Sequence, residues 1–117
     1  SGEERTLIRQ EEQQLYEYDE YKLQIRRLDF GKKRGIYEFS TYDPETKDTP
    51  PSWGLHPYAE VGVVLEGKME VNLDGTVYLL GPGDSIYIKP NLYHTMRNAG
   101  DTPCRSFWHL QIMDDSV

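Results

Sequence analysis

The stretch Lys68-Met69-Glu70-Val71-Asn72-Leu73-Asp74-Gly75-Thr76-Val77-Tyr78-Leu79-Leu80-Gly81-Pro82-Gly83-Asp84-Ser85-Ile86-Tyr87-Ile88 decides the fold. Met69, Val71 and Leu73 share one face of a strand, because strand side chains alternate with a period of two. Asp74-Gly75 separates that strand from a second, Thr76 to Leu80. Asp-Gly between two alternating segments is the strongest short-range hairpin signal, since the tightest hairpin turns need residues that accept positive φ. Gly81-Pro82-Gly83-Asp84 then turns the chain into a third strand, Ser85 to Ile88.

The same rhythm extends outward. Upstream, Val61 to Leu65 is a short buried run, Ile36 to Tyr42 is a strand, and Tyr21 to Leu28 alternates clearly. Gly31 and Gly35 bracket a basic turn, and Asp43 to Ser52 is a loop rich in proline and short polar residues. Downstream, Asn98-Ala99-Gly100-Asp101 turns before a last strand, Cys104 to about Met113. Residues 8–17 form a weak helix candidate, and nothing after residue 20 has helical period. Short strands spaced by turn signals predict an all-β barrel or sandwich.

At 117 residues the chain has the length of one domain. Residues 1–5 read as a disordered tail or an expression remnant, and residues 6–117 as a single barrel. The chain opens Ser1-Gly2 without a methionine, which leaves room for a longer natural N-terminus. No apolar run approaches the roughly 18 residues of a membrane span, and no signal peptide is evident. A single cysteine, Cys104, cannot form an internal disulfide, which fits a reducing, cytoplasmic setting. The net charge of −7 argues against this domain gripping nucleic acid, whose phosphates demand a basic surface. Acidic residues crowd the front of the chain and read as a solvated face.

The chemistry-bearing residues are few. The chain has only three histidines, and His56, Glu60 and His94 place two imidazoles and a carboxylate among predicted strands. Two histidines and one carboxylate can occupy three positions of a metal ion and leave the others open. The alternative is a set that merely hydrogen-bonds inside the barrel. His109 and Gln111 share one face of the last strand, and they join the site only if that face lines the cavity. Tyr58 and Tyr93 flank the ligand candidates and are the best aromatic cavity candidates, with Trp53, Tyr87, Phe107 and Trp108 behind them. Tyr58 as an acid or base needs strong tuning from an ordinary pKa of about 10. A phosphate-cradling glycine loop, a Cys-x-x-Cys pair and a nucleophile elbow are all absent from the sequence.

These motifs resemble the cupins. His56-x3-Glu60-x6-Gly67 is similar to the first cupin motif read from its second histidine, and Gly83-Asp84-Ser85-Ile86-Tyr87-Ile88 with His94-x3-Asn98 is similar to the second. The resemblance spans about residues 53–110. It implies an RmlC-like antiparallel β-barrel, a double-stranded β-helix or jelly roll. It also implies a divalent transition metal (Fe, Mn, Ni or Zn) at His56, Glu60 and His94. Gly54 stands where the family has its first histidine, so one ligand is missing. Lys89 and Asn91 stand where the family prefers proline and glycine, which alters a turn rather than the metal site.

The resemblance implies a metal-binding cupin that takes a small polar metabolite, as an oxygenase, isomerase or lyase. Ala59 to Lys68 also resembles the effector-binding cupin domain behind a helix-turn-helix in bacterial transcription regulators. A structural barrel without ligand is the third alternative. Cupin barrels commonly pair, so a homodimer is expected, with Tyr21 to Leu28 able to extend a partner's sheet.

Overall fold

The computed structural model describes residues 4–112. Expectations for residues 1–3, for Met113 and for a solvated Asp114-Asp115 end lie outside that range. Ten strands follow in order: β1 (Gln14–Tyr18), β2 (Leu23–Asp29), β3 (Ile36–Tyr42), β4 (Ser52–Gly54), β5 (Ala59–Glu66), β6 (Met69–Leu73), β7 (Thr76–Leu80), β8 (Ser85–Ile88), β9 (His94–Asn98) and β10 (Cys104–Gln111). They form a six-stranded sheet, β1-β2-β3-β10-β5-β8, and a four-stranded sheet, β4-β9-β6-β7. All their pairings are antiparallel. The fold is the all-β jelly-roll barrel expected. No helix among the described residues is long and apolar enough to cross a membrane.

One core joins the two sheets. Met69, Val71, Leu80 and Met96 from the smaller sheet cluster with Val64, Ile88, Cys104, Trp108 and Leu110 from the larger. Burying each large apolar side chain contributes about 1.5–3 kcal/mol, which is the main force closing the sheets on each other. The hairpin at Asp74-Gly75 is as tight as its sequence requires, with φ of 48° and 101° and Leu73 paired to Thr76. Gly67 ends β5 at φ 79°, where a Cβ would lie 2.6 Å from the Pro103 carbonyl oxygen. Only glycine lets the backbone turn against the start of β10 there.

Several boundaries differ from the sequence reading, β5 among them, which runs Ala59–Glu66 rather than Val61 to Leu65. Residues 8–17 are no helix: a single 3-10 turn, Gln10–Glu12, precedes β1. β1 is mostly exposed on both faces, so its apolar alternation is too weak to announce a strand. β2 begins at Leu23 rather than Tyr21, because Asp19–Tyr21 is a 3-10 turn and Lys22 takes φ 53°. The loop that includes Ser52 yields a three-residue strand, β4, paired to β9. Near the N-terminus Glu4 and Arg5, read as part of a frayed tail, have partners. Glu4 lies 3.0 Å from Arg34, and the Arg5 amide donates to the Phe30 carbonyl at 3.0 Å.

Candidate metal centre

His56, Glu60 and His94 arrive from three parts of the fold. Glu60 is on β5 in the six-stranded sheet, His94 opens β9 in the four-stranded sheet, and His56 sits in the loop between β4 and β5. One ligand atom from each falls within 4.8 Å of the others, a grouping able to hold a metal ion. Glu60 Oε2 lies 3.3 Å from His94 Nε2 and 3.6 Å from His56 Nε2.

The turn after β8 holds two of these residues in place. The Asn91 amide donates to the His56 carbonyl at 2.6 Å, and Asn91 itself takes φ 61°. That left-handed conformation is one asparagine tolerates, so the departure from glycine at this position leaves the turn intact. The His94 ring is fixed by a 2.9 Å contact from Nδ1 to the Leu92 carbonyl. A carbonyl can only accept, so Nδ1 carries the proton and the Nε2 lone pair faces the cluster. The His56 ring stacks on Tyr58, with centroids 4.9 Å apart and planes 8° from parallel.

The electrostatics of this cluster are unusual. Glu60 is 7% exposed, and its Oε2 is buried with no hydrogen-bond partner. A buried unsatisfied acceptor costs about 1–3 kcal/mol, and more when it is charged. With Nδ1 of His94 protonated, the atoms converging on the gap are a carboxylate oxygen and an imidazole lone pair, both acceptors. Such a set is relieved by a cation, either a proton or a metal. Burial pushes the His94 pKa down, but the Glu60 carboxylate and the Leu92 carbonyl outweigh it, so the net shift is upward.

Gly54 occupies the vacant ligand position in a specific sense. It is the cross-strand partner of His94, and a Cβ there would come within 2.7 Å of Nε2 on both His56 and His94. The two imidazoles fill the space above the glycine. The donor set of two histidines and one carboxylate therefore fits a divalent metal without a fourth protein ligand.

A cavity of about 460 Å³ contains all three residues. Tyr58 lines it, as do Trp53 and Gly54. Burial first, and then the charges of Glu60 and Glu38, push the Tyr58 pKa up. That direction keeps the phenol protonated and opposes its use as a base.

The structure does not bring the other candidates to the cluster. In β10 it is Trp108 and Leu110 that line the cavity, so His109 and Gln111 lie on the opposite face. The His109 ring stacks on Tyr37, with centroids 4.8 Å apart. Tyr93 is half-exposed outside the cavity lining and stacks on Trp53 at 6.2 Å. Arg27 and Glu38, by contrast, line the cavity and were not anticipated. Their signal was present: an arginine continues the inward face of Leu23 and Ile25, and a glutamate begins the face of Ser40 and Tyr42.

Residues 38–110 match the Cupin domain family Cupin_2, which is more than half of the chain. The chain belongs to the cupin family. Among curated relatives, the chain is 41% identical over 56 residues to the polyketide synthase CurC of Streptomyces cyaneus, covering 47% of this chain and 36% of that protein. The matched stretches cover between 16% and 41% of the curated relatives' lengths. Among solved structures, an RmlC-like cupin from Shewanella frigidimarina covers both chains fully, with a TM-score of 0.75 and 19% identity. Fe(II)-HppE with an alternative substrate gives a TM-score of 0.76 at 16% identity, over 89% of this cupin and 58% of that chain. At those identities the structural likenesses establish the fold alone.

Proposed function

We propose that this cupin is a metal-dependent binder of a small polar metabolite. In this reading His56 Nε2, Glu60 and His94 Nε2 hold one divalent transition metal ion, and the ligand enters from the adjoining cavity. The observation that carries the proposal is the buried, unpartnered Oε2 of Glu60 facing two imidazole nitrogens. With the His94 proton on Nδ1, facing Leu92, neutral His94 offers this oxygen no donor, and a cation is what pairs it. A bound divalent ion supplies Lewis acidity and open positions for ligand oxygen atoms.

The chain's own groups do the rest. Leu92 and Asn91 orient the two histidines, and Tyr58 shields the more exposed His56 ring. The cavity's volume falls within the roughly 300–1,000 Å³ of typical ligand sites.

Elemental analysis tests this directly. Protein purified without a metal-affinity step should carry close to one equivalent of Fe, Mn, Ni or Zn, and His94→Ala should lose most of it. Metal-free wild type with no thermal shift on adding any of the four ions overturns the proposal.

A further inference from the structure

The cavity carries a second charged device. Arg27 on β2 and Glu38 on β3 are cross-strand partners, and Glu38 is in turn paired with Trp108 on β10. Trp108 faces Gly62 on β5, where a Cβ would lie 2.4 Å from its ring. Arg27, Glu38 and Trp108 therefore form one inward row across the sheet that also carries Glu60. Glycine at position 62 lets the indole lie flat and keeps the row open.

Arg27 is only half committed to its neighbour. Its Nε and Nη2 both reach the same oxygen, Oε2 of Glu38, at 2.9 and 2.6 Å. Nη1 makes no hydrogen bond among the described residues, and the side chain is 34% exposed in a cavity-lining position. The guanidinium carbon lies over the Tyr16 ring, 5.5 Å from its centroid. Guanidinium is the side chain best shaped to grip carboxylate or phosphate oxygens through paired N–H donors.

The charges lining the cavity favour the same conclusion. Arg27 and Glu38 cancel, so with a divalent ion bound the Glu60 carboxylate leaves one positive charge uncompensated, whereas without the ion only the spare Arg27 donors favour an anion. A neutral ligand leaves that charge unbalanced, and an anion closes it.

We infer that Arg27 is a specificity residue, and that the cavity's ligand is a small organic anion whose carboxylate or phosphate oxygens pair with the Arg27 guanidinium. This deepens the metal reading, which supplies the anion's second anchor, but the Arg27 contact itself is made by protein alone. Arg27 lies outside residues 38–110, so the family match does not supply it.

The test is isothermal titration of Mn(II)-loaded and metal-free protein. The probes are a panel of two- to six-carbon mono- and dicarboxylates and simple phosphomonoesters, each carboxylate paired with its uncharged amide. At least one anion should bind wild type about tenfold or more tightly than its neutral counterpart. Arg27→Gln should reduce that preference to within about twofold, while Arg27→Lys keeps part of it. Because Arg27→Gln strands the buried Glu38 carboxylate, the double variant Arg27→Gln/Glu38→Gln serves as the folded control, with its melting temperature checked. Manganese content, measured on every variant, should not change. If the metal fails to load, the metal reading falls, and the Arg27-dependent preference is still decided on metal-free protein. An anion preference that survives in both Arg27→Gln variants, or no anion preferred by wild type in either form, overturns the inference.

Discussion

Replacing Glu60 by glutamine should stabilise the metal-free protein and destabilise the metal-loaded one. The carboxylate oxygen is buried without a partner and lies 3.3 and 3.6 Å from two imidazole nitrogens. At a pH above the folded-state value of His94, acceptor faces acceptor. The glutamine amide has the same shape and can point an N–H donor at the His94 Nε2 lone pair, removing a penalty of about 1–2 kcal/mol. For a domain of this length that raises the melting temperature by about 4–8 °C in EDTA. With metal at about 100 times its Kd, wild type gains about 2.7 kcal/mol, and the variant, lacking the anionic ligand, gains far less. The order of melting temperatures then reverses. Differential scanning calorimetry with EDTA and with Mn(II) or Zn(II) reads both halves. A Glu60→Gln protein that melts lower than wild type in EDTA, or that gains as much as wild type from metal, refutes the reasoning.

The pH dependence carries opposite signs with and without metal. In metal-free protein the raised pKa of His94 means that the protonated His94–Glu60 pair contributes stability below about pH 6.5, lost as pH rises through His94's folded-state value. Calorimetry in EDTA should show that loss in wild type and not in His94→Gln. Metal binding needs the neutral imidazole, so Mn(II) affinity should fall about tenfold per pH unit below that same value, as read by titration. Gly54→Ala places a Cβ 2.7 Å from Nε2 of both histidines. His94 is held by Leu92, so the more exposed His56 must yield, and metal affinity should drop by about tenfold or more.

Much of the fold was legible because its strands are short, alternating and punctuated by turn residues. The Ile36–Tyr42, Thr76–Leu80 and Ser85–Ile88 strands run as the sequence reads. β1 escaped because a strand exposed on both faces has no apolar alternation to show. β4 escaped because three residues are too few to display a period. His56, Glu60 and His94 were legible as residue types, but their convergence was not, since it depends on two sheets meeting. His109 illustrates the remaining ambiguity. Alternation put it correctly opposite Trp108 and Leu110, yet nothing local says which face of β10 turns inward. Trp108 takes the inward side, where Gly62 on the neighbouring strand leaves room for an indole.

Gly54 and Arg27 together explain how a three-residue donor set can sit in a barrel built for ligands. Glycine at position 54 offers no ligand, and the imidazoles of His56 and His94 occupy the space a side chain there would need. The resulting cluster still concentrates acceptors around one point and still needs a cation. A metal held by fewer protein atoms has more open positions and a larger uncompensated charge, so it depends more on what the bound molecule brings. Arg27 sits on a strand outside the family-matched span, lines the same cavity, and has donors to spare. In the proposed reading, the family-matched segment provides the cation site, and the N-terminal strands β1 and β2, whose Tyr16, Tyr18, Leu23, Ile25 and Arg27 line the same cavity, select what joins it there. Exchanging those two strands with another cupin's should therefore change ligand preference while leaving metal content unaltered.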